Sequence, residues 1–124
     1  MRKDIFFGKS AVESMAQTTV SGGEFGNGVD SLRTFAQGHM VLSGAVGTDI
    51  VLKLQESSDD VTYTDVPVSR MIGGVNSFTI VSGSGDNTVT EIAGFDLKRY
   101  SRLAVVSGAG DISAVALLCD NFGS

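Results

Sequence analysis

Apolar and polar side chains alternate with a period of two along most of the chain after residue 30. In the clearest segment, Ile50, Leu52 and Leu54 would share one face of a strand. Lys53 and Gln55 would then face the other way. This period matches a β-strand, in which successive side chains point to opposite faces of a sheet, and does not match a helix. Sixteen glycines and one proline among 124 residues are typical of strands joined by tight turns. We therefore predict an all-β chain.

Turn-forming segments divide this region into about eight short strands. The predicted strands are 32–36, 40–46, 49–56, 61–66, 75–81, 88–92, 96–106 and 111–119. The predicted turns between them include 47–48, 57–60, 73–74, 82–87 and 107–110, the last of which would join a hairpin. A chain of this length has room for one hydrophobic core. The pattern fits a β-sandwich or a small barrel, and we favour a jelly-roll-like antiparallel β-sandwich.

Residues 1–30 differ from the rest because they are polar, rich in glycine and without sustained periodicity. We predict an extended N-terminal arm over residues 1–30 and a sandwich domain over residues 31–124. A short helix over residues 10–16 is also compatible with the sequence, because Ser10 and Glu13 form a capping-box pattern.

The apolar anchors of the arm would be Ile5, Phe6 and Phe7. An extended segment can add a strand to an exposed sheet edge, where main-chain hydrogen bonds supply the affinity. The arm would therefore either bind a neighbouring subunit or fold back over its own last strand.

The last predicted strand is apolar on both faces. One face would carry Ile112, Ala114, Ala116 and Leu118, and the other Val115, Leu117 and Cys119. The outer face of a small sandwich normally meets water, so the face with Val115 and Leu117 is expected to need cover from the arm or from another subunit. This is the main sequence argument for self-association or partner binding.

Charge argues against several partners. The net charge of −5, the pI near 4.6 and the scattered basic residues do not suit nucleic-acid binding, which depends on clustered Lys and Arg. No stretch approaches the roughly 20 apolar residues of a membrane span. The apolar run near the N-terminus is too short for a secretion signal. We expect a soluble protein with neither nucleic acid nor membrane as partner.

Catalytic and metal-binding patterns are weak. His39 is the only histidine and the sequence identifies no partner nucleophile for it, while the serines form no Gly-x-Ser-x-Gly elbow. The acidic group Glu56, Asp59, Asp60 and Asp65 matches no EF-hand spacing and is expected to form a solvated turn. We predict no enzyme activity, no metal and no cofactor. A sugar-binding sandwich is a rival, disfavoured by the absence of Trp.

Two segments, in the same order along the chain, resemble segments of small β-rich proteins from the head-gene regions of tailed bacteriophages. The first is LQESSDDVTYTDV at residues 54–66, and the second is GFDLKRYSRLAVV at residues 94–106. Together the resemblance covers roughly residues 40–118. It implies a virion structural protein that decorates or cements the outer capsid surface and is made in the host cytoplasm.

Such proteins are typically dimers or trimers, so the implied partners are the major capsid protein and further copies of the chain. A neck, tail or fibre-base component of the particle is the alternative. Arg99, Tyr100 and Arg102 would either contact an acidic surface or form a solvated edge of the sandwich, and we favour the solvated edge.

Overall fold

The structure, a computed structural model, describes residues 9–30 and 36–119. Over this part of the chain seven strands pair antiparallel, and a 3₁₀ helix at Val68–Arg70 separates the fourth from the fifth. The strands are β1 (Lys9–Ser21), β2 (Val29–Asp30), β3 (Ala36–Ser57), β4 (Thr64–Asp65), β5 (Phe78–Ile80), β6 (Val89–Phe95) and β7 (Tyr100–Cys119). The predicted all-β fold class is confirmed.

A long two-stranded ribbon of β3 and β7 organises the sheet. The two strands pair from Ala36 opposite Cys119 to Ser57 opposite Tyr100. β1 and β2 pair with the edge of β7 that faces away from β3. β6, β5 and β4 pair in turn along the edge of β3 that faces away from β7. All described strands therefore belong to one sheet.

The ribbon bends at its middle. Register shifts occur between Ser43 and Leu52 of β3, opposite residues 105–112 of β7. Gly108 has a φ of 93°, and a Cβ added there would overlap the carbonyl oxygen of Asp49, so the bend requires glycine. The predicted turn at 47–48 and the predicted hairpin across 107–110 are wrong. Both strands continue through these segments because bulges bend a strand without reversing it.

The bend folds the sheet onto itself as a sandwich. His39 Nε2 lies 3.1 Å from Ser101 Oγ, although Ser101 pairs with Glu56 near the far end of β3. A bridge between Met71 and Gly94 also joins the two halves. We call the half with β1 and β6 the first layer, and the half with β2, β4 and β5 the second layer.

One apolar core lies between the layers. Its largest buried side chains are Ile50, Leu52, Leu54, Ile92, Leu103 and Ile112. Ile80 is buried and Phe78 packs against the core. The predicted turn at 57–60 is confirmed, and it is part of the connection between β3 and the two-residue strand β4. Among the described residues, no helix is long and apolar enough to cross a membrane.

The N-terminal region is part of the sheet from residue 9 onward. The segment 10–16, whose sequence is also compatible with a short helix, is a strand, and β1 buries Met15 and Val20 against the core. Residues 9–21 therefore pair with the last strand of their own chain, which is one of the two placements that the sequence left open for this region. Ile5, Phe6 and Phe7 lie outside the described residues.

Candidate interaction surface

The outward side of the first layer is apolar. Its central side chains are Met40 and Leu42 of β3, Val89 and Ala93 of β6, and Val115 and Leu117 of β7, which we call the outer apolar face. Val115 lies opposite Met40, and Leu42 lies opposite Val89. Val115, Leu42 and Val89 are 41%, 51% and 61% exposed. Contiguous exposed apolar patches mark interaction sites on many proteins.

Strand alternation explains why this face forms. Ile112, Ala114 and Ala116 are buried between the layers, whereas Val115 is exposed and Leu117 is half-buried. The predicted division of the last strand into two apolar faces is thus confirmed over 112–117, while the side chains of Leu118 and Cys119 lie outside the description. The sequence did not reveal that Leu42 and Val89 join Val115, because that requires the register of three strands.

Acidic residues flank the outer apolar face. One cross-strand row reads Glu13, Val115, Met40 and Glu91, with both carboxylates exposed. A depression of about 190 Å³ next to Leu42 is lined in part by Asn87 and by the acidic Asp111. The surface therefore has an apolar centre and an acidic rim.

The predicted basic group lies on the second layer, where internal contacts hold its cations. The Arg102 guanidinium lies between two rings, 3.7 Å from the centroid of Phe25 and 4.0 Å from that of Tyr63. Its Nε donates to Gln55 Oε1 at 3.0 Å. Phe25, which is 57% exposed, was missed by sequence analysis because only the fold brings it to this strand.

Arg99 also has an internal partner. Its Nη2 donates to Asp30 Oδ2 at 3.0 Å, and its guanidinium lies 5.1 Å from the Tyr100 ring centroid. The hydrogen bond from Arg99 to Asp30 raises the pKa of the guanidinium. Arg99 and Arg102 are thus each held by contacts within the chain.

The acidic group is dispersed. Glu56 accepts hydrogen bonds from both terminal nitrogens of Arg70 and from the Lys98 backbone N–H. Burial alone would raise the pKa of Glu56, but these donors and their charges together lower it. Asp65 accepts from Gln55 and Lys53, and its pKa is lowered by those bonds.

Asp59 and Asp60 act within the turn. Asp59 Oδ1 accepts the backbone N–H groups of Thr62 and Val61, and these bonds lower the pKa of Asp59 to about 2. Asp60 accepts from the Tyr63 hydroxyl. Burial, followed by this hydrogen bond, raises the pKa of Tyr63. In the described part of the chain, no three His, Cys, Asp or Glu side chains are grouped so that they could hold a metal ion.

A buried polar chain links the two layers. Ser101 Oγ donates to Gln37 Oε1, so the Nε2–H of His39 donates to Ser101 Oγ. All three side chains are buried, and no described residue is hydrogen-bonded to His39 Nδ1 or Gln37 Nε2. Burial lowers the pKa of His39 to about 4. The serine hydroxyl points away from the imidazole, opposite to the arrangement that activates a nucleophile.

No family model matches the chain, and no curated protein matches its sequence. The fold is similar to the crystal structure of the SPBc2 prophage-derived protein YomS, with a TM-score of 0.59 and 12% identity over 89% of this chain and 91% of that chain. A protein of Bacillus endospore appendages, which form disulfide-linked pili, aligns over 91% of each chain with a TM-score of 0.38 and 12% identity. The chain thus shares its fold with a protein of prophage origin.

Proposed function

We propose that this chain is a structural protein of a tailed-phage particle, and that it decorates the outer capsid surface by binding the major capsid protein. The observation that carries the proposal is the outer apolar face, with Leu42, Val89 and Val115 exposed together. Burying such side chains fully stabilises a contact by about 1.5–3 kcal/mol each, and these half-exposed ones offer part of that. The prophage origin of YomS and the two resembling sequence segments support the same class.

The proposed role is binding, with no catalytic step. Many copies on a repeating lattice reinforce one another, because each bound copy raises the effective concentration of the next contact. Weak individual contacts would therefore suffice to stabilise a shell.

Binding to the assembled capsids of the phage that encodes this chain tests the proposal. We expect the wild-type protein to co-sediment with capsids and the Leu42→Asp/Val115→Asp variant to bind at least about tenfold more weakly, because charge in the contact must be desolvated. Val106→Asp is the matched control, since Val106 is a 50% exposed valine on β7 outside the outer apolar face.

Copy number separates the proposal from its alternative. Electron microscopy of particles should show the protein over the whole shell. A ring of few copies at the neck or tail would instead indicate a neck, tail or fibre-base component. Absence of the protein from particles would contradict both.

A further inference from the structure

The outer apolar face has an acidic rim, and the chain itself contains a segment of complementary chemistry. Residues 1–8 read MRKDIFFG, in which Arg2 and Lys3 precede Ile5, Phe6 and Phe7. An apolar centre with flanking carboxylates matches an apolar triplet that two cations precede, with Asp4 between the cations and the triplet. Within β1, residues 36–46 of β3, β6 and residues 109–119 of β7, Lys9 is the only Lys or Arg in the sequence.

Apart from the exposed Lys98, the described cations of the second layer are engaged within the chain. Lys53 pairs with Asp65 at 3.2 Å, and the two pairs described above occupy Arg70 and Arg99. Arg102 is stacked between rings. These side chains are therefore poorly placed to neutralise the acidic rim of a neighbouring copy.

The tether is too short for Phe6 to reach Leu42 and Val89 on the far side of its own face. Lys9 lies opposite Cys119, whereas Leu42 lies opposite Ser113, six residues further along β7. At about 3.3 Å per residue this separation is about 20 Å, while Phe6 is at most about 10 Å from Lys9 along an extended chain. A phenyl side chain adds too little to close the gap. Phe6 can therefore reach Leu42 and Val89 only on another copy.

We propose that residues 2–7 of one copy dock on the outer apolar face of a second copy, with Phe6 and Phe7 against Leu42 and Val115 and with Arg2 and Lys3 beside Glu13 and Glu91. This inference rests on the proposed function, in which the same face binds the capsid, so a docked arm and the capsid compete for the face of any one copy. The contact joins two different surfaces, so it is heterologous and extends into a ring or an open chain of copies.

A mixing experiment tests the contact. The arm variant Phe6→Asp/Phe7→Asp keeps the face, and the face variant Leu42→Asp/Val115→Asp keeps the arm. We expect wild-type protein to form oligomers in sedimentation velocity, and each variant alone to associate at least about tenfold more weakly. An equimolar mixture should form dimers and nothing larger, because only one productive contact is then available. Val106→Asp should assemble like the wild type.

Each contrary result overturns the inference: a wild-type protein that stays monomeric, a variant that assembles like the wild type, a mixture without dimers, or a Val106→Asp protein that also dissociates. Circular dichroism checks that every variant is folded. If the face variant is unfolded, variants with reversed surface charge are tested in its place. Glu13→Lys/Glu91→Lys should weaken association, and adding Arg2→Glu/Lys3→Glu to the same chain should restore it.

Failure of this inference is distinguishable from failure of the proposed function. Wild-type protein that stays monomeric in solution yet binds capsids through Leu42 and Val115 would overturn docking between copies and leave capsid decoration intact. If the mixture of variants forms dimers as expected but the protein never binds capsids, docking between copies would stand and capsid decoration would be overturned.

Discussion

Acid should destabilise this protein well above the pH at which its carboxylates titrate. His39 is buried and neutral, and burial lowers its pKa from 6.5 to about 4. Its Nε2–H already donates to Ser101, so an added proton would sit on Nδ1, where no described residue accepts it. Between these two pKa values the unfolded chain binds a proton that the folded chain refuses.

The sign and size follow from linkage. Because the pKa of His39 is lower in the folded state, its contribution to stability is complete above about pH 6.5 and is lost as the pH falls toward 4. The slope is about 1.4 kcal/mol per pH unit, so the total loss approaches about 3 kcal/mol. That is a large part of the roughly 5–15 kcal/mol by which domains are stable.

Denaturant unfolding at several pH values measures this loss. The comparison is between the wild type and His39→Gln, in which an amide N–H can still donate to Ser101 but nothing titrates. Between about pH 6.5 and 4.5 the unfolding free energy of the wild type should fall, whereas that of His39→Gln should stay nearly level. The pKa values of Glu56, Asp59 and Asp65 are lowered, so their contributions are lost only at more acidic pH. Parallel curves for the two proteins would refute the reasoning.

Three further substitutions should change stability. Asn76→Ala removes three buried hydrogen bonds between segments and should cost about 3 kcal/mol in denaturant unfolding; a cost near zero would contradict this role. Gly108→Ala should prevent stable folding, as judged by circular dichroism, whereas Gly83→Ala, also at positive φ but with no atom near its added Cβ, should retain the fold. Arg70→Ala leaves the buried Glu56 carboxylate with fewer donors and should lower the free energy of unfolding by about 2 kcal/mol or more. Adding Glu56→Gln to the same chain should recover part of that loss. Equal stability of the single and double variants would count against the pairing.

The sequence predicted burial and turn formation correctly where residues within a single segment determine them. Ile50, Leu52 and Leu54 are all fully buried, as their alternation predicted. The turn after β3 forms because Ser57 and Asp59 bind nearby backbone N–H groups, which is a property of the residues themselves.

The candidate surface was only half predictable. Val115 and Leu117 were identified from one strand, because a strand with two apolar faces signals a need for cover. Leu42 and Val89 were not linked to them, since cross-strand neighbours depend on register. The aromatic cover of Arg102 by Phe25 was missed for the same reason: these residues are far apart in sequence and meet only through the fold.

By itself the sequence determined which residues prefer a sheet and which face of each strand is apolar, because both depend on side chains two positions apart. Tertiary structure decided whether a glycine-containing segment reverses the chain or merely bends it. Residues 47–48 and 107–110 have turn chemistry, yet they face one another across the ribbon as a bend. The physical reason is that β3 and β7 satisfy each other's backbone hydrogen bonds on both sides of the bend, so a reversal in either strand would forfeit that pairing.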